Sequence, residues 1–158
     1  MQPYLHWASI LGHVKNSHSD FMLQGMKMLH KLLFVCVHNS GRSQMACAFA
    51  NSLSNGMIHA ECSGTTPGDS VNPRVVQVMK EVGLDLSNNF PSVITQTQVD
   101  DADVVITMGC SVEECPINDF HVDEDWKLDD PHSLPIRDVR RIRNEIRSRV
   151  IALLDSLL

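Results

Sequence analysis

Apolar and polar positions follow two different periods along this chain, and each change of period marks an element. LLFVCV, residues 32–37, is an uncharged run of strand formers, as expected for a strand covered on both faces. Beyond the loop HNSGR, Met45, Ala46, Phe49 and Leu53 recur at helical spacing, which predicts a helix over 43–53. A second strand is expected over 58–63, closed by the turn-rich GTTPGDS. Asn72-Pro73 opens the next helix, with Val75, Val76, Met79 and Val82 as its apolar stripe and Gly83 as its stop. A short polar helix over 95–102 leads into a third buried strand, DVVITMG, at 103–109. DWKL, at 125–128, is a short extended piece before Asp129-Asp130-Pro131, and an amphipathic helix follows from about 135 to 157.

Strands alternating with helices predict a parallel α/β sheet with right-handed crossovers. Ligands in such sheets sit beyond the carboxyl ends of the strands, where strand order reverses. If the order is 2-1-3-4, Cys36, Gly109-Cys110 and Asp130 reach one edge together.

Composition narrows the function classes. The 158 residues suit one domain. A net charge of -6 argues against a nucleic-acid or anionic-membrane surface. The one basic cluster, Arg137, Arg140, Arg141, Arg143, Arg147 and Arg149, alternates with apolar residues and reads as the solvated face of the last helix. No run reaches transmembrane length. Residues 1–30 lack arginine and a long apolar core, so they make a poor signal or transit peptide. They are read as an N-terminal extension ahead of a catalytic domain over 31–158. Five cysteines, an odd number without scaffold spacing, favour a cytoplasmic chain whose thiols are reactive.

The chemistry gathers at CVHNSGRS, residues 36–43. A loop leaving a buried strand and entering a helix can converge its N–H groups on an anion, and the same positive surroundings favour a thiolate at Cys36. Arg42 supplies a planar fork for two oxygens of a tetrahedral oxyanion. Ser43 can donate to the thiolate, and Gly41 lets the loop fold tightly.

This stretch resembles the phosphate-binding loop of the low-molecular-weight tyrosine phosphatase superfamily, and VCVHNSGRSQMA is more similar to the arsenate reductase branch. SGTTPG, VNPRVV, ADVVITMGC, ECP and WKLDDP extend the likeness from Lys31 to the C-terminus. The resemblance implies a flavodoxin-like three-layer fold with a four-stranded parallel sheet in the order 2-1-3-4. It implies that Cys36 is the nucleophile and that Arg42 and the loop amides of Val37, His38, Asn39, Ser40, Gly41 and Arg42 hold the oxyanion. Asp130, biased to an extended backbone by Pro131, is the implied general acid.

Reductase and phosphatase share that first step and differ in the second, where a reductase needs another thiol. Cys110 and Cys115 are therefore the deciding residues, as resolving thiol and as the cysteine that completes the relay. Three other readings stand beside this one: inert buried thiols, a zinc site with His121, or an enzyme resolved by an external small thiol. His132 and Ser133 follow Asp-Pro where the tyrosine-phosphatase branch has aromatic residues. Cys47 stands where the thioredoxin-linked branch has a glutamate of a potassium site, and Gly41 where that branch has a second loop cysteine. Cys47 and Cys62 are expected in the core.

The resulting expectation is an arsenate reductase, with a phosphomonoesterase as the alternative and a non-enzymatic oxyanion or metal sensor as a third reading. The expected partners are arsenate, with phosphate or sulfate as analogues, and an external thiol reductant of thioredoxin, glutaredoxin or mycothiol type. No tightly bound cofactor, metal, nucleic acid or membrane is expected.

Overall fold

The computed structural model describes residues 29–110, 113 and 115–158. The expected N-terminal extension lies outside the described residues up to position 28, and β1 begins at His30. In chain order the elements are β1 (His30–Cys36), α1 (Arg42–Leu53), β2 (Ile58–Gly64), α2 (Pro73–Lys80), α3 (Gln96–Asp101), β3 (Val104–Thr107), β4 (Glu124–Asp125) and α4 (Ile136–Leu157). The sheet has four strands in the order β2-β1-β3-β4, as the resemblance implies. β1 pairs in parallel with β2 from His30↔Ile58 to Cys36↔Gly64, and with β3 from Leu32↔Val104 to Val35↔Thr107. β4 joins β3 in parallel through Ile106↔Glu124 and Thr107↔Asp125.

Alternation along β1 divides the core into two layers. Leu32, Phe34 and Cys36 face a large cluster with Met45 and Phe49 of α1, Val75 and Met79 of α2, and Ile142 and Ile146 of α4. Leu33 and Val35 face a smaller cluster with Val99 of α3, Ile94 and Val105. Among the described residues, three helices thus cover one side and a short helix the other. The helix starts carry the chemistry that favours them: Asn72 Oδ1 accepts from Arg74 N, Pro73 stands at the first helical position, and Thr95 with Gln98 closes a capping box.

Four expectations need correction. Leu53 is 37% exposed because it is the last residue of α1, where Ala50 takes the inner position. Val82 is 43% exposed because α2 ends at Lys80 and Gly83, at φ +84°, turns the chain; Val78 is the buried member of that stripe. Arg143 leaves the solvated face of α4: it is buried, donating to the Val78 carbonyl at 2.8 Å and to Glu81 at 2.9 Å. Cys47 and Cys62 pack against the core but keep partial exposure. None of the described helices is long and apolar enough to cross a membrane.

Candidate active site

The carboxyl ends of β1, β3 and β4 meet as the topology predicts, and the loop after β1 is shaped by what its carbonyls bind. Cys36 O accepts from Thr65 N, Val37 O from Thr66 N, His38 O from Gly68 N and Ser40 O from Asn72 N, at 2.8–3.1 Å. These bonds turn the carbonyls outward onto the 65–72 segment, so the loop amides are the groups left to face an anion. The His38 ring takes part in the same packing, with Nδ1 3.1 Å from Thr66 O, and the Ser40 hydroxyl donates to His38 O.

Asn39 is the pivot of the loop. It adopts φ +50°, a left-handed conformation that asparagine tolerates, and is fully buried. Its Nδ2 donates to Ser43 Oγ at 2.7 Å, and Ser43 Oγ lies 2.9 Å from the Cys36 sulfur. Ser43 Oγ thus accepts from Asn39 and lies within hydrogen-bonding distance of the sulfur, where it can donate to a thiolate. Asn39 Oδ1 accepts from Ser92 N and from Gln44 Nε2, and Gln44 accepts in turn from Asn89. Sequence reasoning took Asn39 for its backbone amide and missed this side-chain scaffold; the signal available was a polar Gln44 in the first turn of a core helix.

Arg42 is buried and anchored across the sheet edge. Its Nη1 donates to Met108 O at 2.7 Å and Leu128 O at 3.2 Å, from the ends of β3 and of the segment after β4. Gly109 permits this approach: at φ +86° it has the backbone that favours glycine, and a Cβ there would lie 2.8 Å from the arginine nitrogen. The other arm, Nη2, stands 3.6 Å from Asp130, whose side chain is 46% exposed at the mouth. Asp130 Oδ1 accepts from His132 N, which holds the carboxylate over the cavity. That cavity has a volume of about 720 Å³ and includes Cys36, Arg42, Asp69, Arg74, Asp130 and His132 in its wall.

Cys110 is placed beside β1 but on the opposite layer from Cys36. Its thiol reaches Val35 O at 3.6 Å and packs, with Cys115, against the Leu33–Val35 cluster. Burial pushes the Cys110 thiol up to about 11, and the neighbouring charges of Cys36 and Asp125 add to the effect. All five cysteines are free thiols. Among the described residues no three His, Cys, Asp or Glu side chains gather in a metal-binding group, Cys110, Cys115 and His121 included.

The low molecular weight phosphotyrosine protein phosphatase family model matches residues 31–158. The chain belongs to this family. Its relatives include a Halobacterium salinarum protein provisionally named an arsenate reductase, 41% identical over 130 residues covering 79% of this chain and 91% of that one. The glutaredoxin arsenate reductase of Synechocystis sp. is 37% identical over 77% of this chain and 94% of its own length. Among solved structures, an arsenate reductase in the phosphate binding state superposes with a TM-score of 0.70 at 35% identity, covering 82% of this chain and 99% of that one.

Proposed function

We infer that this protein is an arsenate reductase that works through an external thiol reductant. The observation that carries the reading is a second free thiol, Cys110, held 3.6 Å from the carbonyl of the residue before Cys36, in a chain whose relatives are named arsenate reductases.

The site residues assign the steps. Arsenate sits above Cys36, its oxygens held by the fork of Arg42 and the loop amides from Val37 to Arg42. The Cys36 sulfur attacks arsenic, and Asp130 gives its proton to the departing oxygen, which leaves as water. Ser43 and Asn39 keep the nucleophile aimed. Cys110 then attacks the Cys36 sulfur: a sulfur–sulfur bond forms, the sulfur–arsenic bond breaks, and its electron pair stays on arsenic, which leaves as arsenite. Cys115 takes over the disulfide by a further exchange and presents it to the reductant. A glutaredoxin-type reductant fits the Synechocystis relative's name; thioredoxin and a small thiol of mycothiol type are the other members of the class.

Family membership supports a second reading that keeps the first step and changes the second. Water in place of Cys110 would make the same adduct chemistry a phosphomonoesterase, retained as residual activity on aryl phosphates.

The test is arsenite formation in a single turnover by prereduced protein without added thiol, in the wild type and in Cys110→Ser. Arsenite from the wild type alone supports the internal relay. Arsenite from neither removes the relay; adding a small thiol or an aryl phosphate then separates an externally resolved reductase from a phosphatase.

A further inference from the structure

One charged side chain in the cavity wall has no part in the steps above. Arg74 stands at the second position of α2 and lines the cavity with Asp130 and His132. Among the described residues it pairs with no carboxylate, unlike Arg42, Arg140, Arg141 or Arg143. Its Nη1 donates instead to the backbone carbonyl of Leu134, at 2.7 Å. The base of this side chain is tied to the catalytic loop: Ser40 O accepts from Asn72 N, and Asn72 Oδ1 accepts from Arg74 N, each at 2.9 Å. Hydrogen bonds therefore connect the loop that carries Cys36, through the start of α2, to Leu134.

Leu134 closes the turn that carries Asp130. Within 130–134, Asp130 Oδ1 accepts from His132 N at 2.9 Å and Pro131 O accepts from Leu134 N at 3.2 Å. Ser133 adopts φ +62°, the left-handed region that a residue with a Cβ rarely takes. Such a conformation persists only where the surroundings over-determine it. Pro131, buried against Gly41, fixes the start of the turn. At its end the Leu134 side chain packs on the core, and Arg74 fixes the carbonyl. Arg42 does not supply the hold, because its Nη2 is 3.6 Å from the Asp130 carboxylate, beyond hydrogen-bond distance. The carboxyl stands over the cavity because the turn puts it there.

We propose that Arg74 is a positioning residue for the general acid: its bond to Leu134 O keeps the strained turn closed and registers Asp130 against the Cys36 loop. The inference rests on the reading of Asp130 as the group that protonates the departing oxygen. Arg74 acts through the turn and not on the reacting atoms. Without its bond, Ser133 relaxes out of the left-handed region, the His132 amide leaves the Asp130 carboxylate, and the acid is displaced while the oxyanion cradle stays in place.

Hydrogen–deuterium exchange on the full-length chain reads the turn directly. In Arg74→Gln the amides of His132 and Leu134 should exchange several-fold faster than in the wild type, with those of the 37–42 loop unchanged. Unchanged exchange over 130–134 overturns the proposal. Hydrolysis of two aryl phosphates reads the acid. With the ester of a weakly acidic phenol, Arg74→Gln should lower kcat by about tenfold, and with that of a strongly acidic phenol, whose departure needs no proton, by less than about twofold. An equal loss with both esters overturns the proposal, as does a raised KM at unchanged kcat, which would make Arg74 a ligand of the oxyanion. Ser133→Gly removes the left-handed strain and should return most of the lost rate to Arg74→Gln; no recovery overturns the part played by the turn. If the wild type hydrolyses neither ester, the exchange measurement decides alone. Neither measurement forms arsenite, so a failure of this inference and a failure of the reductase reading are told apart.

Discussion

Cys110 hydrogen-bonds to the carbonyl of Val35, the residue before Cys36, yet its side chain packs on the layer opposite the Cys36 side chain. The two sulfurs are neighbours along the strand and separated by the sheet edge. A Cys36–Cys110 disulfide therefore requires Cys110 to swing around the end of β1, a movement for which the left-handed glycine before it, at φ +86°, is suited.

In the proposed relay, the Cys110 thiol, pushed up to about 11, would make the second step pH-dependent. Below that value its thiolate fraction rises roughly tenfold per pH unit, and attack follows the thiolate. Single-turnover arsenite release should accelerate steeply between pH 7 and pH 9, while Cys110→Ser shows no such phase. A flat profile in the wild type would mean that Cys110 is not the resolving thiol.

Ser43 Oγ lies 2.9 Å from the Cys36 sulfur, and in the proposed mechanism it donates to the Cys36 thiolate. A bond to a charged acceptor contributes roughly 1.5–3 kcal/mol, so Ser43→Ala should slow Cys36 alkylation at neutral pH by about tenfold or more. Alkylation kinetics by mass spectrometry measure this, and Ser43→Thr, which keeps the hydroxyl, should recover most of the rate.

Gly41 faces Pro131, and a Cβ there would lie 2.7 Å from the proline Cγ. Gly41→Ala should displace Pro131, and with it Asp130, while the fold persists. The rate with arsenate, or with an aryl phosphate whose leaving group needs a proton, should fall by at least about tenfold, a loss of roughly 1.4 kcal/mol in the barrier. A phosphate ester of a strongly acidic phenol should be affected less, because its leaving group does not depend on the acid.

Glu81 gathers Arg140 at 2.8 Å and Arg143 at 2.9 Å, joining α2's end to α4. Its carboxyl lies below the ordinary value, first through the Arg140 hydrogen bond and then through Arg143. Between the lowered and ordinary values the unfolded chain binds more protons, so the contribution is present above the ordinary value and lost as pH falls through the lowered one. Urea midpoints should therefore drop more steeply on acidification for the wild type than for Glu81→Gln.

The order of the elements was legible because each strand is an uncharged run and each helix an apolar stripe, signals that depend on local period alone. The Cys36–Ser43 loop was legible for the same reason, since a thiol, an arginine and a serine in fixed spacing between a strand and a helix already define an anion cradle. Arg143 was misread because nothing in its spacing distinguishes it from Arg140 or Arg147; the Val78 carbonyl that it caps comes from a helix 65 residues away. Likewise, once the strand order 2-1-3-4 was given, the sequence determined that Cys36, Gly109-Cys110 and Asp130 would reach one sheet edge, because chain direction places them there. Which side of the sheet Cys110 occupies was decided by tertiary packing alone. A side chain's orientation in a loop and the register of a helix on a strand depend on contacts between distant segments, which no local pattern encodes.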